Sequence, residues 1–415
     1  MTHFPRIAGQ LHAEQVSLAT IGQLYGTPCY IYSRRAIESA WQELDQALEP
    51  HPHQICYAVK ANSNLAVLNL MARMGSGFDV VSGGELQRVL AAGGDPAKVV
   101  FSGVGKTNSE LELALSSGVG CINLESVTEI GRLEKIAGDL GVVAPVALRV
   151  NPDVDAQTHP YISTGLKENK FGVDINGAVK IYHRIAASKH LSAIGIDCHI
   201  GSQLTQLEPL VDAVERLLLV VDELAKQDIT LDHIDVGGGL GIRYQDEQPP
   251  SMTDYANLLL KLFAGRTEHI YVEPGRSLVG NSGVLLTQVI GLKPGDEKNF
   301  ALVDAAMNDL LRPTLYSAWH DIQPVSESTE HNRSWDVVGP ICETGDFLGQ
   351  NRQLGIAEDD LLAVMSCGAY GFTMASNYNS RPKAAEVMVD GNQHHLIRKR
   401  EEISQLFADE YLLAD

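Results

Sequence analysis

Between about residues 55 and 275 the chain alternates short apolar, β-branched runs with stretches of helical periodicity. The apolar runs occupy 55–60, 77–82, 99–103, 121–126, 146–152, 193–200, 233–239 and 269–275. Most are near-continuously apolar rather than alternating, which is how strands buried on both faces of a parallel sheet read. The segment 207–225 sets Leu207, Leu210, Val211, Val214, Leu217, Leu218, Val221 and Leu224 at helical spacing with charges between them. Ser82 with Glu85, and Ser126 with Glu129, fit capping boxes that start helices directly after strands. Eight strands with crossover-length connections, seven of them carrying helix patterns, predict a (β/α)8 TIM barrel in the α/β class. The alternative is an open doubly wound sheet. Strands of similar length, with no dinucleotide fingerprint after the first, favour the barrel.

The texture changes after residue 279. Strand patterns at 283–293, 299–305, 335–339, 360–368 and 384–391 are separated by turns, without helices of matching length. They predict a C-terminal antiparallel β domain. Polar loops fall at 245–251 and 326–334, and there is no internal repeat.

The 415 residues suit two domains, and 44% apolar composition supplies material for real cores. A net charge of −20 repels phosphate backbones and anionic lipid heads, which argues against nucleic-acid or membrane partners and leaves a cationic or zwitterionic small molecule. Six cysteines (29, 56, 121, 198, 342 and 367) form no CxxC pair, so neither a disulfide framework nor a metal site is expected. That usage, with no signal-peptide pattern at the N-terminus and no apolar run near the ~20 residues of a bilayer span, predicts a cytoplasmic protein.

In a barrel, chemistry sits at the C-terminal strand ends. The first run ends in Lys60, the sixth in His199 with Ser202 just after, the seventh in the glycine run 237–241, and the eighth in Glu273, Pro274, Gly275 and Arg276. A lone strand-end lysine ordinarily reaches solvent. Over a barrel mouth it is partly desolvated, which lowers a lysine pKa and suits Schiff-base chemistry. The glycine run fails the dinucleotide pattern because Ile242 stands where a third glycine is needed. Its bare backbone could still approach a phosphate. A histidine such as His199 is more often a satisfied core residue, but at the mouth it could stack on a flat cofactor. Glu273 and Arg276 read either as a surface ion pair or as partners for a ring nitrogen and a carboxylate.

Residues 101–107 end like a phosphate-binding loop, but Val100 occupies the position that requires glycine, so Lys106 reads as a loop residue. In the β domain, Cys342 and Glu343 share a glycine-containing loop, Arg312 and Tyr316 lie in 312–316, and Tyr370 is flanked by glycines. Their ordinary readings are a buried thiol, a solvated arginine and packed tyrosines.

The combination is more specific than its parts. A strand-end lysine, a stacking histidine, a glycine phosphate loop and a ring-nitrogen carboxylate are what pyridoxal phosphate requires. With the motifs YAVKAN (57–62), HIGSQ (199–203), GGGLG (237–241), EPGR (273–276), RPTLY (312–316), GPICETGDF (339–347) and GAYGFTMAS (368–376), the chain resembles the group IV, fold-type III pyridoxal-phosphate decarboxylases, and within them the diaminopimelate decarboxylase branch. The motifs span nearly the whole chain.

The resemblance implies the following. Lys60 holds pyridoxal 5'-phosphate, His199 stacks on its ring, and Ser202, Gly239, Gly275, Arg276 and Tyr370 serve its phosphate. Glu273 pairs with the ring nitrogen. Cys342 donates a proton, and Arg276, Arg312, Tyr316, Glu343 and Tyr370 contact substrate. The implied reaction takes meso-2,6-diaminopimelate to L-lysine and CO2, the last step of lysine biosynthesis, with no metal. The alternative is a decarboxylase of ornithine or arginine on the same fold. Glu273 argues against a racemase, because a ring-nitrogen carboxylate strengthens the electron sink. The resemblance further implies an alanine-racemase-like two-domain arrangement, with 33–278 as the barrel and 1–32 plus 279–415 as the β domain. It also implies a homodimer with sites at the subunit interface. Thr344 and Cys29 are small departures from the family pattern.

Overall fold

The computed structural model describes residues 3–155 and 170–414. Eight parallel strands close on themselves: β1 (His53–Ala58), β2 (Gly77–Val80), β3 (Val99–Phe101), β4 (Cys121–Leu124), β5 (Ala144–Asn151), β6 (Leu191–Asp197), β7 (His233–Asp235) and β8 (His269–Val272). β8 pairs with β1 through Val272 and Ile55, and β4 pairs with β5 through Leu124 and Leu148, so the ring has no free edge. Cys56, Val100, Cys121 and Ala147 pack together inside, small residues where the strands converge. The barrel predicted from the apolar runs is the one found.

Each predicted run overshoots its strand at the C-terminal end. Residues 233–239 yield a strand of three residues, and 55–60 stops at Ala58, where Val59–Ala61 coils into a short 3-10 turn. The Tyr57 hydroxyl donates to Asn62 O at 2.9 Å and secures that turn. Lys60 therefore stands on a turn past the strand, not on the strand itself. The run outlasts the strand because residues just past it, such as Val59 and Ala61, are still buried although the backbone has left the sheet.

Helix Glu208–Ala225 forms where predicted and buries Leu210, Val214, Leu217, Val221 and Leu224 of its stripe, while Val211 and Leu218 are half-buried and Leu207 caps its start. The two predicted capping boxes form by half. Ser82 and Ser126 accept from the Glu85 and Glu129 amides, but those carboxylates reach back one residue further, to the amides of Val81 and Glu125. Complete reciprocal boxes form elsewhere, at Thr107 with Glu110 and at Ser251 with Asp254.

The chain divides into two compact units. One is Ala40–Arg243 with Glu247–Ser277. The other joins Met1–Ser39, Tyr244–Asp246 and Leu278–Asp415. The second unit is built on the long strand Gly283–Lys293, flanked by Cys29–Ser33, Phe300–Val303 and Leu361–Val364. Most of its pairings are antiparallel, as predicted. Two are parallel: Phe300–Val303 on Arg333–Val338, and Ala385–Asp390 on Cys29–Ser33. Both faces of this sheet are covered. Tyr30, Tyr32 and Leu285 face one core, while Cys29, Ile31, Val284 and Leu286 face the other. Phe347–Leu354 and Gln393–Arg398 escaped the sequence pattern because polar residues interrupt them. Five cysteines are buried, Cys342 is exposed, and all six are free thiols.

Candidate active site

The mouth of the barrel collects the charged strand ends. Lys60 Nζ donates to Asp79 Oδ2 at 2.5 Å. Asp79 lies in β2, fully buried. Glu273, just past β8, lies beside Asp197 at the end of β6 and Asp235 at the end of β7, with one carboxyl oxygen from each within 4.8 Å of the others. Arg149 of β5 donates to Glu125 at 3.1 Å and reaches Asp197 at 3.7 Å.

Burying these acids shifts their protonation. Glu273 is raised well above the usual carboxylate range, first by desolvation and then by Asp235, Asp79 and Asp197, with Lys60 opposing. Asp235 is pushed up to about 7, first by burial, against the Gly237 amide that donates to its Oδ1 at 2.8 Å. Asp197 is raised by burial and by Asp235. These carboxyls share a field and titrate together.

The His199 ring is pushed the other way. Desolvation, then Arg149 and Lys60, hold it well below the ordinary histidine range, so it is neutral. Its Nδ1 accepts the Gly238 amide at 3.2 Å, which leaves the ring proton on Nε2. The glycine run makes this approach possible. Gly239 has φ +113°, and a Cβ there would sit 2.5 Å from Gly201 O; a Cβ on Gly238 would strike Glu273 O. Arg276, buried, donates through Nη2 to Ser202 Oγ at 2.9 Å. Lys60, His199, Ser202, Gly239, Glu273, Gly275 and Arg276 thus all lie just past C-terminal strand ends, at the same end of the barrel.

These residues fit a pyridoxal phosphate. Oε1 of Glu273 is buried with no hydrogen-bond partner among the described residues. An orphaned acceptor of that kind suits a protonated ring nitrogen. A neutral, flat imidazole, bare glycine backbone and a buried arginine beside a serine meet the remaining needs of an aromatic phosphate ester.

The other candidates belong to the second unit. Arg312 opens the short helix Arg312–Tyr316 and is buried rather than solvated. Its Nε donates to His320 Nε2 at 3.3 Å, and its guanidinium lies over the Tyr244 and Tyr316 rings at 5.1 and 5.8 Å. Cys342 is exposed on the loop between Arg333–Val338 and Phe347–Leu354, not buried, and its amide donates to Asn379 Oδ1 at 3.0 Å. Glu343 accepts from the Tyr378 hydroxyl at 2.9 Å. Tyr370 holds a φ of 54°, a strained value for a tyrosine.

Sequence reading missed Asp79, Asp197 and Asp235. The available signal was an acid inside an otherwise apolar run, since a charge in a strand buried on both faces demands a partner or a task. It also missed His320 and Tyr244, for which no local pattern exists. Lys106 is a loop residue, as expected, but it is buried and satisfied by Gly103 O, Asn123 O and the Glu129 carboxylate.

Comparison with known proteins gives the family. The family model described as pyridoxal-dependent decarboxylase, pyridoxal binding domain, matches residues 34–280. The diaminopimelate decarboxylase of Pseudomonas aeruginosa is 60% identical over 404 residues, 97% of either chain. That of Vibrio cholerae is 57% identical over 98% of each. Among solved structures, diaminopimelate decarboxylase from Helicobacter pylori complexed with L-lysine aligns with a TM-score of 0.92 at 43% identity, covering 94% of this chain and 98% of the other. A lysine/ornithine decarboxylase from Vibrio vulnificus, at 18% identity and TM-score 0.80 over 90% of this chain and 97% of the other, shares the fold.

Proposed function

The chain belongs to the pyridoxal-dependent decarboxylases and, among them, to the diaminopimelate decarboxylases, and on that premise we propose how its residues divide the work. It is a carboxy-lyase that converts meso-2,6-diaminopimelate to L-lysine and CO2 with pyridoxal 5'-phosphate. The observation that carries this reading is 60% identity over 97% of both chains. Bound at the barrel mouth, pyridoxal phosphate supplies an electron sink for the carbon that loses its carboxylate.

The chain's own groups do the rest. Lys60 holds the cofactor through Nζ, and Asp79 orients that amine. Glu273 keeps a proton on the ring nitrogen. His199, held neutral, packs against the ring without adding a charge. Gly239, Gly275, Ser202, Arg276 and Tyr370 grip the phosphate. Cys342 Sγ delivers a proton to the α-carbon after CO2 departs, and Glu343 beside it engages the substrate. Arg276, Arg312, Tyr316 and Tyr370 position the amino acid.

We further read the protein as a cytoplasmic homodimer in which the loop of Cys342 and Glu343 serves the partner's barrel. The exposure of Cys342, the single exposed thiol of six, supports this. No helix of the described residues is long and apolar enough to cross a membrane. Decarboxylation of ornithine or arginine is disfavoured by the buried Arg312, a second cation that is useful only if the far end of the substrate carries a carboxylate.

The direct experiment is to incubate purified protein with pyridoxal phosphate and meso-diaminopimelate and to measure lysine and CO2. Equimolar release of both is expected. Turnover of ornithine or arginine, with diaminopimelate inert, would overturn the assignment.

A further inference from the structure

Arg312 is held by an unusual partner. His320 is fully buried, and its Nδ1 lies 2.8 Å from Met365 O, a carbonyl that can only accept. The ring proton is therefore on Nδ1, and Nε2 is left as the acceptor. Arg312 Nε–H donates to that nitrogen at 3.3 Å. The Tyr244 ring meets the His320 ring edge-on, with centroids 5.2 Å apart, and the Arg312 guanidinium stands 5.1 Å from the same tyrosine. Tyr244 belongs to a three-residue excursion, Tyr244–Asp246, that groups with this unit although its neighbours in sequence belong to the barrel. Met365 follows the strand Leu361–Val364, so the chain Met365 O, His320, Arg312 is anchored to the sheet core.

We propose that His320 is a positioning residue for substrate specificity: as a neutral imidazole fixed by Met365 O, it sets the plane of the Arg312 guanidinium so that Arg312 takes the distal carboxylate of the substrate. This rests on the reading above that Arg312 meets that carboxylate. An arginine grips a carboxylate bidentately only when its plane is aligned, and an Nε–H anchored to a fixed acceptor removes rotation about the bond that tilts the plane. Tyr244 and Tyr316 bracket the guanidinium and limit its swing. His320 makes no contact with the reacting carbon in this scheme, so its effect falls on binding of one end of the substrate.

The test uses the holoenzyme and two variants that differ in where the side chain ends. His320→Asn places its amide where Nδ1 stands, keeping a donor for Met365 O and losing the acceptor for Arg312. His320→Gln reaches the Nε2 position and restores that acceptor. Two probes are titrated by cofactor absorbance. L-lysine retains the distal carboxylate, while D-lysine presents the reacting centre but an ammonium at the far end. For His320→Asn, the KM for meso-diaminopimelate and the Kd for L-lysine should rise about tenfold, the size of one lost aligned hydrogen bond to a charged group. D-lysine affinity and kcat should stay within about threefold, and His320→Gln should lie within about threefold of the parent throughout. Equal losses in both variants, or equal losses for L- and D-lysine, would mean a merely structural role and overturn the inference. Arg312→Ala separates the two readings. If it leaves KM and L-lysine affinity unchanged, the distal-carboxylate assignment falls and takes this inference with it. If it weakens both while His320→Asn does not, only the inference about His320 falls.

Discussion

Lys60 Nζ sits 2.5 Å from Asp79 Oδ2, and the pair is lopsided: the lysine side chain is 37% exposed, the aspartate not at all. A carboxylate buried that completely depends on its cation. Removing Lys60 strands a charge, whereas removing both groups strands nothing. Lys60→Ala should therefore destabilise the cofactor-free protein by about 1–3 kcal/mol, a range reduced from that of fully buried pairs because the lysine is partly hydrated. Adding Asp79→Asn should recover most of it. Urea midpoints of the two single variants and the double variant give the coupling energy, and a coupling near zero would show that the pair contributes nothing.

Lys60 should also carry the cofactor. Purified protein should be yellow, and borohydride reduction followed by peptide mass spectrometry should place the added mass on Lys60. Label on another lysine would break the assignment of the whole mouth.

Glu273→Ala should still bind cofactor, because the lysine and the phosphate contacts remain. Its decarboxylation rate should fall by a few powers of ten, about 3–5 kcal/mol of lost stabilisation. Single-turnover CO2 release at saturating substrate measures it. A near-normal rate would mean that the ring nitrogen is not the partner of Glu273.

Cys342 and Lys60 allow a complementation experiment. Cys342→Ala and Lys60→Ala chains should each be nearly inactive. Mixed with full subunit exchange, they should regain roughly a quarter of wild-type activity, because half the dimers are mixed and each has one intact site of two. No recovery, with heterodimers present by native mass measurement, would place the two residues in separate sites.

Asp235 predicts a pH dependence. Burial raises its carboxyl to about 7, so between the ordinary aspartate pKa and 7 the native state holds a proton that the unfolded chain has released. Its contribution is therefore present at low pH and is lost as pH rises through that window. Asp235→Asn has no such proton. Relative to wild type, the cofactor-free variant should gain stability as pH rises from 5 to 8, because that proton is gone and because Glu273 and Asp197, both raised by Asp235, come down with its removal. Paired urea titrations at the two pH values check it. The histidines shifted by burial, His199 and His233, titrate identically in both proteins and cancel.

Much of this was legible in the chain itself. Near-continuously apolar runs such as 55–60 read as strands buried on both faces, and eight of them in series predict a barrel. The strand-end positions of Lys60, His199 and Glu273 followed from that period, because function at a barrel mouth is a consequence of where strands stop. Tertiary structure alone decided what surrounds them. Asp79 meets Lys60 from the neighbouring strand, and Asp197 and Asp235 crowd Glu273 from two others; such contacts depend on strand register, which no local pattern encodes. The same holds for Arg312. The sequence supplied a guanidinium ahead of a proline, but its burial, and a neutral His320 eight residues on that accepts from its Nε, arise where the chain is brought back on itself. Local periodicity fixes which face of an element is apolar. The protonation state of a buried group is set by every neighbour within a few ångströms, and those neighbours are chosen by the fold.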